Sequence, residues 1–197
     1  MSFRYDIRLS GSGGQGLILM GIILAEAVGI YDGKCVAQTQ SYGPEARGGS
    51  SKAEVVVSDM EIDYPKAMKL DLLVCLTQKS CDEYYMDLKP GGTLVVDSTL
   101  VTQVPTPRAF GIPFTKIARE KLGREMVANI VALGAISRLT TVVSSRALEQ
   151  ALLARVPRGT EKLNRDALKA GMNAAKKALR DTDARSSEVG EWVDEDT

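Results

Sequence analysis

The chain has 197 residues, 44% of them hydrophobic, with 25 Lys plus Arg balanced by 25 Asp plus Glu and no histidine. Zero formal charge removes the whole-molecule field that draws nucleic acid or acidic membranes. The missing histidine removes imidazole bases, Ser-His triads and His-metal sites from this chain.

The length suits one sizeable domain, residues 1–180, followed by an acidic, flexible tail, 181–197, in which seven acids face only Arg185. No apolar run reaches the roughly 18 residues of a membrane span. Three cysteines, Cys35, Cys75 and Cys81, form no C-x-x-C pair. With no secretory signal, they fit a reducing, cytoplasmic setting. An iron–sulfur cluster requires about four thiolates, so the chain alone is expected to hold none.

In chain order, Tyr5 to Leu9 alternates as a strand does, and Leu17 to Ala25 is an apolar helix. Between them lies Gly11-Ser12-Gly13-Gly14-Gln15-Gly16, a strand–turn–helix opening suited to an anion or cofactor. Glycines 11 and 16 fit the frame of a P-loop, but Leu17 and Ile18 stand where Lys and Ser or Thr must follow, and that reading fails. Glycines 11, 13 and 16 also fit the dinucleotide pattern, which needs a carboxylate at the end of a second strand. The run Cys35 to Gln40 has none, which weakens NAD binding. A turn that only lets strand and helix pack closely stays open.

Lys34 to Gln40 predicts the second strand and Lys52 to Ser58 the third. The loop between them, Ser41-Tyr42-Gly43-Pro44-Glu45-Ala46-Arg47-Gly48-Gly49-Ser50, is too short for a crossover helix, so the pairing should be antiparallel or mixed. If strands one and two are neighbours, their loops share one sheet edge. Asp71 to Thr77 reads as a buried strand and Gln78 to Leu88 as a helix stopped by Lys89-Pro90-Gly91-Gly92. Thr93 to Asp97 and Arg108 to Ile112 are further strands. From Phe114 the pattern is helical. Met126 to Leu139 is apolar all round, and Ser144 and Thr160 cap two more helices. Beyond Arg180 the composition is that of a solvated segment, with Trp192 as a possible anchor on a partner. The fold class is α/β, a three-layer Rossmann-like domain with a mostly parallel or mixed sheet, C-terminal helices and an acidic tail.

Together, the glycine turn and the loop from Ser41 to Gly49 resemble the gamma subunit of 2-oxoacid:ferredoxin oxidoreductases over residues 4 to 180. Within that family Glu45-Ala46-Arg47-Gly48-Gly49-Ser50 is similar to the 2-oxoglutarate branch; pyruvate, branched-chain and indolepyruvate enzymes are the alternatives. The resemblance implies CoA-dependent oxidative decarboxylation of a 2-oxoacid to an acyl-CoA, with electrons passed to ferredoxin. It also implies alpha, beta and ferredoxin-like delta subunits as partners. Thiamine diphosphate, magnesium and iron–sulfur clusters are then expected on those partners, since this chain has neither a Gly-Asp-Gly motif nor a cluster's thiolates. Coenzyme A is the co-substrate.

The candidate binding residues are Gly11, Gly13, Gly14, Gln15, Gly16, Tyr42, Gly43, Glu45, Arg47, Gly48 and Gly49. Plainer readings stand beside them: Gln15 as a bond within its own loop, Arg47 as the partner of Glu45, Tyr42 as an interface plug. No residue is a convincing general acid or base. A stand-alone NAD enzyme and a pure interaction protein are the competing hypotheses.

The isolated chain should therefore be colourless and inactive. Incubation with iron, sulfide and thiamine diphosphate should leave its visible spectrum blank and release no carbon dioxide from 2-oxoglutarate; a stable brown chromophore would contradict this.

Overall fold

The computed structural model describes residues 3–42 and 50–190, with the side chains of Tyr42, Ser50 and 183–190 left aside. Six strands are β1 (Arg4–Ser12), β2 (Cys35–Tyr42), β3 (Ser50–Ser58), β4 (Leu70–Cys75), β5 (Leu88–Asp97) and β6 (Phe110–Ile112). The helices are α1 (Leu17–Glu26, prolonged by a π-helical turn, Ala27–Tyr31), α2 (Gln78–Tyr84), α3 (Phe114–Leu122), α4 (Ala128–Leu139), α5 (Ser145–Arg155) and α6 (Glu161–Gly190).

The sheet order is β2-β3-β1-β4-β5-β6. From β1 through β4 and β5 to β6 the strands are parallel, whereas β3 is antiparallel to both β1 and β2. The mixed sheet and the antiparallel second and third strands are as expected, but β1 and β2 are not neighbours. Burial explains why. In β3, Ala53 to Ser58 are buried without a break, so this strand needs a neighbour on each side. β2 carries Gln38, Thr39, Gln40 and Ser41, residues that an edge tolerates.

The layers are unequal. On one face Ile7, Leu9, Val55, Val57, Leu72, Val74 and Val95 pack against α1, α3, α4, α5 and α6; on the other Val56, Leu73, Cys75 and Val96 meet Cys81 of α2 and Val101. Thr77 starts α2 with a reciprocal capping box to Ser80. This helix ends earlier than expected. A 3₁₀ turn, Tyr85–Asp87, follows it, and β5 begins at Leu88. Lys89 to Gly92, expected as a stop, becomes a bulged strand start, because pairing jumps from Leu70↔Leu88 to Leu72↔Thr93 and the extra residues are absorbed there. Likewise α6 continues past Arg180 to Gly190, so the expected boundary at 181 falls within a helix; Trp192 lies outside the described residues.

α4 and α6 touch backbone to backbone. A Cβ on Gly134 would stand 2.0 Å from the Leu168 carbonyl oxygen, and one on Gly171 would stand 1.8 Å from that of Val131. Neither obstacle is a flexible side chain, so an alanine must push the helices apart and loosen Val131, Leu133 and Leu168 in the core. Gly134→Ala and Gly171→Ala should each cost about 2–3 kcal/mol in urea unfolding. The double variant should cost less than the two together, because both force the same separation.

Candidate functional site

β1 takes in Gly11 and Ser12, so the turn proper is Gly13 to Gly16. Gly16 is the N-cap of α1 in the left-handed region (φ 74°), and Gly14 is left-handed as well (φ 93°). Only glycine adopts such angles without strain. Gly13 and Gly14 are exposed and stand directly before a helix whose first N–H groups have no intrahelical acceptor.

Gln15 turns inward. Its Oε1 accepts the N–H of Ser12 at 2.7 Å, and its Nε2 donates to the Leu76 carbonyl at 3.4 Å, beyond the end of β4. The Leu76 N–H returns to the Ser10 carbonyl at 2.8 Å. Gln15 thus bonds within its own loop, the plainer of its two readings. Gly11 leaves room for it, since a Cβ there would lie 2.3 Å from Oε1.

Across the sheet, Gly11 pairs with Ser51 and Ser51 with Tyr42, so the three stand in one row. β1 and β2 run parallel with β3 between them, and their trailing ends leave the same edge about 10 Å apart, two strand spacings. The shared edge holds, although the strands are not adjacent. Gly43, Glu45, Arg47, Gly48 and Gly49 lie outside the described residues.

This topology also bears on NAD. In a dinucleotide fold the ribose carboxylate ends a parallel strand beside the first. Here that neighbour is β4, which ends in Cys75 and continues Leu76-Thr77, with no acid.

The sequence reading missed two groups. On the α2 face, Arg8 and Glu54 form a buried ion pair at 2.8 Å, and Arg8 also meets Asp87. Lys52 stands 3.6 Å from Glu54, and the Tyr84 ring lies 4.8 Å from the Arg8 guanidinium and 5.1 Å from the Lys52 ammonium. Arg8 and Lys52 face Glu54 and Asp87, so each cation has a carboxylate partner within the group. Burial, then the Glu83 hydrogen bond, pushes the Tyr84 phenol well above its ordinary range, so it is no base at neutral pH. Alternation along β1 offered the only signal: Asp6, Arg8 and Ser10 share one face, and charge on a strand buried on both faces demands partners.

The second group is Asn129. Buried at the start of α4, it donates from Nδ2 to the Gly16 carbonyl at 3.4 Å across 113 residues of sequence. Nothing local in the sequence signals that contact. The cysteines offer no reactive thiolate pair: Cys75 and Cys81 are sealed in the core, where a hydrogen bond to Cys81 and burial hold the Cys75 thiol protonated, and Cys35 lies apart on β2. Among the described residues no helix is long and apolar enough to cross a membrane.

Known proteins resemble this chain in sequence and in fold. A 2-oxoglutarate synthase subunit KorC from Methanocaldococcus jannaschii is 52% identical over 180 residues, 89% of this chain and 96% of its own length. Another KorC, from Methanothermobacter marburgensis, is 49% identical over 85% of this chain and 95% of its own. The crystal structure of a keto/oxoacid ferredoxin oxidoreductase gamma subunit from Geobacter sulfurreducens superposes with a TM-score of 0.82 at 52% identity, covering 89% of this chain and 98% of that one. The family model described as pyruvate ferredoxin/flavodoxin oxidoreductase matches residues 6–174. This chain belongs to the pyruvate ferredoxin/flavodoxin oxidoreductase family.

Proposed function

We propose that the chain is the gamma subunit of a 2-oxoglutarate:ferredoxin oxidoreductase and that its glycine-turn edge receives the anionic part of coenzyme A in the assembled enzyme. The substrate class follows from relatives at 49–52% identity that are 2-oxoglutarate synthase subunits. The observation that carries the site is the left-handed Gly14 and Gly16 turn, exposed at Gly13 and Gly14 just before the N-terminus of α1, on the sheet edge where β2 also ends.

A phosphate suits such a place. Backbone N–H groups and the helix dipole favour negative charge, and they need no titratable side chain. Arg47, in the loop that leaves the same edge from Tyr42, would add a full charge in a planar fork. Coenzyme A bound here would be held by its non-reacting portion, with its thiol directed to a partner.

The chemistry of decarboxylation and electron transfer belongs to thiamine diphosphate, magnesium and iron–sulfur clusters, which we assign to alpha, beta and delta subunits, with ferredoxin as the acceptor. Three cysteines, two of them sealed in the core, do not fit a cluster site. The gamma chain's own part is to bind and orient the co-substrate. The complex works in the cytoplasm, with neither membrane nor nucleic acid as partner, and residues 1–180, with α6 running on to Gly190, act in it as one unit.

Arg47 tests the assignment. In the assembled enzyme Arg47→Ala should raise the KM for coenzyme A or lower kcat by roughly tenfold, equivalent to about 1.4 kcal/mol. Arg47→Lys, which keeps the charge without the fork, should fall between. Unchanged kinetics in an intact Arg47→Ala complex would make the loop structural only, and failure to assemble would move Arg47 into the subunit interface.

A further inference from the structure

Asn129 is only 5% exposed, and both ends of its amide are engaged: Oδ1 accepts the N–H of Ile130 at 2.8 Å, and Nδ2 donates to the Gly16 carbonyl at 3.4 Å. The same carbonyl accepts the N–H of Met20 at 3.0 Å, the first ladder bond of α1. Asn129 therefore grips the peptide group at which the turn becomes a helix. It also occupies the space that a side chain at position 16 would need, since a Cβ on Gly16 would lie 2.3 Å from Nδ2.

The grip comes from a fixed point. α4 is pinned to α6 by the backbone contacts at Gly134 and Gly171, and Ile130 and Val131 beside Asn129 are core residues. On its other side the turn is tied to the β4 end through Gln15 and Leu76. The orientation of the peptide that follows Gly16 sets where the first amides of α1 aim, and a cradle of amides binds well only when it is already formed.

We infer that Asn129 is a positioning residue for the coenzyme A site, holding the Gly13–Gly16 turn so that its amides converge on an anion before the ligand arrives. The inference rests on the preceding reading of the turn as the coenzyme A site. A residue that merely satisfied the core would influence stability and leave ligand affinity alone.

The test uses the complete multi-subunit enzyme with Asn129→Ala, Asn129→Leu or Asn129→Asp in this chain, and Gln15→Ala as a reference for the turn. Measured for each are the KM for coenzyme A, the KM for 2-oxoglutarate, kcat and the thermal midpoint. Asn129→Ala should raise the KM for coenzyme A about tenfold, the effect of losing one hydrogen bond to a preformed site, with kcat and the 2-oxoglutarate KM within about twofold. Asn129→Asp, which replaces the donor by an acceptor and adds negative charge beside the turn, should raise it further. A lowered midpoint with an unchanged coenzyme A KM in all three would overturn the inference, as would failure of every Asn129 variant to assemble. If Gln15→Ala alone raises that KM, the inference falls and the site reading stands; if neither position affects it, both fall.

Discussion

β3 is buried on both faces and flanked on both sides, and the arrangement of the edge at which β1 and β2 end depends on that placement. Val55 and Val57 look into the large core, while Glu54 and Val56 look towards α2. A strand of that kind cannot sit at an edge without exposing one of its apolar rows or stranding Glu54 away from Arg8. It lies between β1 and β2, antiparallel to each, which makes those two parallel and sends the glycine turn and the Tyr42 loop out of the same side. Had β2 paired directly with β1, β3 would have become the edge.

On that side, the glycine turn is held from the segment after β4 and from α4. Ser10 and Leu76 join the ends of β1 and β4 by a backbone bond, Gln15 links the turn to Leu76, and Asn129 reaches Gly16 from α4. Each bond is modest, on the order of 1 kcal/mol. Their value is geometric: contacts from the Leu76 segment and from α4 leave the turn little freedom, and a buried amide at Asn129 or a displaced Gln15 would be left unpaired if it moved. Rigidity is bought here with side-chain amides, which carry no charge and so do not compete with an incoming anion.

Most of the fold was legible because hydrophobic period and turn chemistry act locally. The runs Tyr5–Leu9, Lys52–Ser58 and Asp71–Thr77 lie within β1, β3 and the segment around β4, and Ser144 caps α5 as its type suggests. Strand order was not legible, because consecutive strands usually neighbour each other and only the two-sided burial of β3 overrides that tendency. Lys89-Pro90-Gly91-Gly92 looked like a stop because glycine and proline also serve a bulge, and the register shift against Leu70 that decides between them is a property of two strands. In the site, Gly14 and Gly16 were legible from their type. The inward turn of Gln15 and the reach of Asn129 were not, since both bonds go to backbone carbonyls, which every residue has.

A subunit without histidine, with two of its three cysteines sealed in the core and with Tyr84 kept neutral, is poorly equipped to move protons or electrons. On the proposed reading, what it offers the assembled enzyme instead is a preformed backbone surface. Contacts to the non-reacting part of a co-substrate lower the barrier only if they also hold its reactive end where the reaction occurs. If coenzyme A is held here as proposed, anchoring its phosphate end on a rigid edge removes only part of the entropy of confining its thiol. The remainder falls to the way this edge sits against its partners. On the proposed reading, the stiffness of the turn matters through the interface: the more firmly β1, β4 and α4 fix Gly13 to Gly16, the more directly the docking of this subunit would determine where the thiol of a bound coenzyme A can go.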